Sequence, residues 1–139
     1  MSVHASRGHQ GCSGSLNLTA SRGSFSDGDG NYLTNSDCRF VIRPTLERIN
    51  ILLVFSLLEL LDENDRVFVH DGDSIDAPQL GTFTGSTLPR SLTSSGGALT
   101  VRFVTDASGD AGRGFEATYQ VQDIAFQQDA WTGAYLRSA

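Results

Sequence analysis

Acidic side chains are scarce in β-strands, yet two stand at the ends of strand-like stretches. Asp65 opens Asp65-Arg-Val-Phe-Val-His-Asp71-Gly72. Its β-branched and aromatic residues favour the pleat, and Asp71-Gly72 reads as a tight turn. Asp106 follows Leu99-Thr-Val-Arg-Phe-Val-Thr105, a second strand. If the two ends meet at one rim of a β-sandwich, their carboxylates form a hard-oxygen site of the kind that holds calcium.

Other chemistry is poorly supplied. Asp27-Gly-Asp29-Gly-Asn31-Tyr-Leu-Thr-Asn35-Ser-Asp37 opens like an EF-hand loop. However, Tyr32 replaces the required glycine and Cys38 stands where the bidentate glutamate belongs. It reads as a solvated loop of turn formers. His70 lies in an alternating strand beside the Asp-Gly turn and reads as a strand surface residue, not a general base. No Gly-rich phosphate loop, His-Glu-x-x-His or cysteine nucleophile setting occurs, so no enzyme is expected.

The elements that must position the carboxylates fit one domain of 139 residues. Sixteen acidic against ten basic residues give a net charge of -6, which argues against nucleic acid and suits cations or basic groups on another protein. Fifteen glycines and one methionine suit many short strands joined by turns. The alternation predicts strands over Ser15–Ala20, Cys38–Ile42, Asp65–Gly72, Leu80–Gly85, Leu99–Thr105 and Gly114–Val121, with a shorter one from Ser91; Ile49–Phe55, apolar on both faces, suits a central strand of a two-sheet core. Arg22-Gly-Ser-Phe25 reads as a turn, and Ser56–Glu63 as strand end plus loop. Eight to ten strands without a secure helix predict an all-β, antiparallel β-sandwich.

Two cysteines, Cys12 and Cys38, are compatible with free thiols or with a disulfide, and their spacing fits no zinc site. Asn17-Leu18-Thr19 is an N-glycosylation sequon. No apolar run is long enough to span a membrane. The N-terminus lacks the apolar core of a signal peptide, so a secreted protein would be represented here by a mature fragment.

An ordered set of positions resembles the CUB domain. It runs Cys12, Gly14, Leu16, Gly23-Ser-Phe25, Tyr32, Asn35, Cys38-x-Phe40-x-Ile42-x-Pro44 and an Ile-x-Leu-x-Phe ending at Phe55. It continues with Asp65-x-x-x-Val69-x-Asp71-Gly72, Leu80-Gly81-x-Phe83-x-Gly85, Pro89, Ser94-Ser-Gly96, Leu99-x-Val101-x-Phe103-x-x-Asp106 and Gly114-Phe115-x-Ala117-x-Tyr119. The match covers about residues 12–121.

The resemblance implies a jelly-roll-like, secreted binding module, with a domain over residues 12–122. Residues 1–11 are expected to be flexible, and residues 123–139 to form an extension or linker. Phe126, Trp131, Tyr135 and Leu136 in that extension are expected to pack on the sandwich or on a second copy.

The resemblance also pairs Cys12 with Cys38. Thr84 occupies one position of the family's second disulfide, and that bridge is missing. For calcium it implies Asp65 and Asp106 as ligands, with Tyr32 nearby. The family's glutamate falls at Leu61, where Glu59, Asp62 or Glu63 can stand in. Ser108 would supply a backbone carbonyl. Gly109 stands at an asparagine position that Asp110 could replace. The expected function is calcium-dependent protein binding through a basic side chain of the partner. The alternatives are a carbohydrate-binding protein or an accessory domain of a secreted protease.

Overall fold

The structure, a computed structural model, describes residues 4–5, 13–28, 35–106 and 112–123. Within them the chain forms ten strands and no helix. These are β1 (His4–Ala5), β2 (Ser13–Leu18), β3 (Arg22–Ser26), β4 (Asp37–Ile42), β5 (Ile49–Glu59), β6 (Arg66–His70), β7 (Gln79–Phe83), β8 (Leu92–Thr93), β9 (Leu99–Val104) and β10 (Gly114–Asp123). They build two five-stranded sheets, ordered β1-β3-β10-β5-β8 and β2-β4-β9-β6-β7. Pairing is antiparallel except for β1 with β3 and β2 with β4. This is the predicted β-sandwich.

Alternation places one face of each long strand inside. Phe40 and Ile42 of β4, Val67 and Val69 of β6, and Leu99, Val101 and Phe103 of β9 meet Ile51, Leu53 and Phe55 of β5 and Phe115, Ala117 and Tyr119 of β10. Phe115 is the hub. Its ring centroid lies 5.4–6.1 Å from those of Phe103, Phe40, Phe25 and Phe55. Full burial of such a side chain contributes roughly 1.5–3 kcal/mol. Tyr119 keeps its hydroxyl satisfied by donating to the Ala20 carbonyl at 2.9 Å.

Three expectations change. Arg22–Ser26 is a strand rather than a turn, because β10 and β1 pair with it on either side; tertiary pairing overrides the weak strand preference of Gly and Ser. The first long strand starts at Ser13 and ends at Leu18. His70 is buried, not a surface residue. The loop after β6 closes over it, so that its Nδ1 lies 3.1 Å from the Ala77 carbonyl and its ring stacks beside Phe68. Ser56–Glu59 prolongs β5, and loop follows after Leu60. In the N-terminal segment, His4–Ala5 pairs with Ser24–Phe25. β10 runs one residue past the expected domain end. Phe126, Trp131, Tyr135 and Leu136 lie outside the described residues.

Candidate metal centre

The acidic rim is assembled by two strand ends that the register brings together. β6 pairs with β9 so that Arg66 faces Val104. The residue before Arg66 therefore lies beside the residues after Val104. Asp65 is 2 % exposed, and its Oδ1 accepts the Asp106 N–H at 2.9 Å. A turn returns the chain to the same place from the other side. The Asp65 N–H donates to the Asp62 carbonyl at 2.9 Å, and the Asn64 N–H donates to the Asp62 Oδ1 at 2.9 Å. This side-chain-closed turn suits an aspartate followed by an asparagine.

Asp62, Asp65 and Asp106 each present a carboxylate oxygen, and the three oxygens lie within 4.8 Å of one another. Calcium–oxygen distances of roughly 2.3–2.6 Å put opposed ligands about 4.6–5.2 Å apart. The three oxygens thus fit around one calcium ion in both spacing and hardness.

The surroundings hold the rim in place. The Asp106 carbonyl accepts the Asn35 N–H at 2.9 Å, and Asn35 takes φ 59°. That left-handed conformation is one asparagine tolerates better than most residues. Ser36 and Thr105 bond reciprocally: the Ser36 N–H donates to Thr105 Oγ1 at 2.7 Å, and the Thr105 N–H to the Ser36 carbonyl at 2.9 Å. Thr84, which the resemblance set at a position of the second family disulfide, donates its hydroxyl to the Asp65 carbonyl at 2.7 Å. This hydrogen bond tethers the start of β6 to the end of β7.

The other sequence candidates lie elsewhere. Glu59 is outside the acidic group; its Oε1 accepts the Arg113 N–H at 3.0 Å at the entry to β10. Glu63 is exposed, and Arg66 donates to its carbonyl. Leu61 is exposed. Cys38 is buried in β4. Asn17 is exposed on β2, an edge strand. Cys12, Tyr32, Ser108, Gly109 and Asp110 lie outside the described residues.

One carboxylate escaped the sequence reading. Asp27, expected in a solvated loop, is 1 % exposed. Its Oδ1 accepts the Phe115 N–H at 2.9 Å. Gly114 makes room for it, since a Cβ there would come within 2.1 Å of the same oxygen. Burial pushes the Asp27 carboxyl up to about 7, against the pull of its backbone hydrogen bonds, and Glu116 adds to the rise. Asp37, at the other end of that stretch, forms a two-pronged ion pair with Arg102 at 2.9 and 3.0 Å, which holds its carboxyl below the ordinary value.

Residues 12–119 match the CUB domain family. Pig (Sus scrofa) cubilin is 38 % identical over 145 residues, covering 88 % of this chain and 4 % of that protein. Rat (Rattus norvegicus) multiple epidermal growth factor-like domains protein 8 is 34 % identical over 103 residues, covering 74 % and 4 %. The chain thus spans a small fraction of the length of these relatives. The crystal structure of the MASP-1 CUB2 domain bound to Ca2+ shares the fold at a TM-score of 0.65 and 22 % identity, covering 78 % of this chain and 99 % of that one. CUB domains are in general extracellular, non-catalytic protein-interaction modules. Among the described residues no helix is long and apolar enough to cross a membrane. With the two sheets, the order of core positions and the family match coinciding over residues 12–119, this chain belongs to the CUB domain family.

Proposed function

We propose that this domain is a calcium-supported protein-binding module of the extracellular space, with Asp62, Asp65 and Asp106 as the carboxylate ligands. The observation that carries the reading is the convergence of those three carboxylates within the span of one ion. Three like charges this close repel unless a cation or proton intervenes. Ser108 would add a carbonyl and Tyr32 a neighbouring hydroxyl, as in the family pattern. When bound, the ion supplies a fixed positive charge that orients the carboxylates. Their outward lone pairs then accept a basic side chain of the partner, and the net charge of -6 steers such a ligand inward.

Calorimetry should find one calcium site, weak, on the order of 10⁻⁴–10⁻³ M as in extracellular modules. Calcium at ten times its dissociation constant stabilises the fold by about 1.4 kcal/mol, a rise of a few degrees in Tm. Asp106→Ala should remove both the heat and the rise. Asp76→Ala, in the loop beyond the far end of β6, should keep them. A wild type without calcium heat or thermal shift defeats the proposal. Partner binding that survives EDTA would move the interaction off this rim and favour a glycan or sheet-face mode.

The same reading bonds Cys38 to Cys12, the only other cysteine. A bridge closing a loop of about 27 residues contributes roughly 3–4 kcal/mol on the chain-entropy estimate. A thiol assay on denatured, unreduced protein should find no reactive thiol. Two thiols would overturn the pairing and remove one support for an extracellular setting.

A further inference from the structure

The outer face of the β1-β3-β10-β5-β8 sheet carries a shallow groove of about 420 Å³. Register lays its lining side chains in two rows across the strands: Ser24–Thr118–Val54 and Arg22–Gln120–Leu52. The walls on the β5 side are apolar, and Val54 is 40 % exposed. The next row along is Gln122–Asn50. There the Asn50 Oδ1 is buried without a hydrogen-bond partner among the described residues, an arrangement that native proteins rarely leave unresolved. Arg22, in the adjacent row on the β3 side, is exposed and has no ion-pair partner among the described residues.

β10, which floors the groove, ends at Asp123, one residue beyond the Asn50 row. Residues 124–139 follow directly. They carry Phe126, Trp131, Tyr135 and Leu136, and a single acid, Asp129. The groove rows lie within five residues back along β10, about 17 Å at strand rise. The eight residues from 124 to 131 can span about 26 Å, enough to reverse direction and return over the face.

We propose that residues 124–139 fold back across this sheet and seat Trp131 in the groove against Leu52 and Val54. Asp129 then comes within reach of Arg22, and amide donors of the returning chain can satisfy the Asn50 oxygen. Reach, charge match and the unpaired acceptor at the point of exit all favour the chain's own extension over an outside ligand. This inference is independent of the acidic rim.

Trp131 is the only tryptophan, so intrinsic fluorescence of the full chain reads its surroundings. Seating predicts emission blue-shifted from that of the urea-unfolded chain and slow quenching by acrylamide. Val54→Glu should shift the emission to the unfolded value while far-UV circular dichroism stays native. Thr118→Arg, a change at an exposed position that fills the groove, should do the same, so that a misfolded Val54 variant does not decide the matter. Arg22→Glu should speed quenching. Dilution should leave the emission unchanged. Solvent-like emission in the wild type, emission insensitive to both groove variants, or emission that reddens on dilution, as for a second copy seated there, would each overturn the proposal.

Discussion

Phe115→Ala should destabilise the domain by about 3–5 kcal/mol, the cost of deleting a large aromatic side chain from a core that cannot collapse around the gap. The ring is fully buried and touches four others drawn from both sheets. Its removal unlocks the two layers from each other. Domains of this size hold about 5–15 kcal/mol in total, so most of the stability is at stake. Urea unfolding should show a lower midpoint with an unchanged slope. Phe83→Ala, on the edge strand β7 and only partly buried, should lose distinctly less. Equal losses for the two variants would deny Phe115 its central place.

Asp27 makes the second large effect, with a sign that reverses the usual carboxylate behaviour. Its folded-state value is raised from the ordinary 3.8 to about 7 by burial. The folded state therefore binds this proton more tightly than the unfolded chain does. The group's contribution to stability is fully present below pH 3.8 and is lost as pH rises to about 7; above that the penalty is constant. At 1.36 kcal/mol for each tenfold change, the loss approaches about 4 kcal/mol. Asp27→Asn keeps the acceptor for the Phe115 N–H and removes the charge. It should raise Tm at pH 7.5, and its advantage over the wild type should shrink steadily towards pH 4. Comparing the two variants cancels every other carboxylate. A difference in Tm that does not change with pH would show that Asp27 does not titrate in this window.

Much of the fold was legible because period-two alternation is strong where one face is buried. Cys38–Ile42, Leu99–Thr105 and Gly114–Val121 show it plainly, Ile49–Phe55 stood out instead as a run apolar on both faces, and the structure places strands over all four. Arg22–Ser26 was not legible. Gly23 and Ser24 carry turn chemistry, and only β10 and β1, distant in sequence, make a strand of them. His70 and Asp27 were misplaced for a related reason. Burial of each depends on a backbone segment folded over it, Ala77 for one and Gly114 for the other, and no local pattern announces that approach. The rim shows the same division. Asp65 and Asp106 stood out as strand-end carboxylates. Choosing among Glu59, Asp62 and Glu63 required the turn that hydrogen-bonds Asp62 to Asn64 and Asp65. Thr84 could be read only as a lost cysteine, because its bond to the Asp65 carbonyl spans two strands.

The place of β10 between β3 and β5 has a consequence for biosynthesis. The last of the described strands is the middle plank of its sheet, with partners laid down far earlier in the chain. Until it leaves the ribosome, β3 and β5 each offer a raw edge that any passing extended chain can pair with. Folding of this half waits for β10 to emerge rather than proceeding strand by strand, and pairing so distant in sequence is slow even then. Nascent chains stalled before Gly114 should therefore be protease-sensitive and prone to aggregate, and should depend on chaperones to cover the gap.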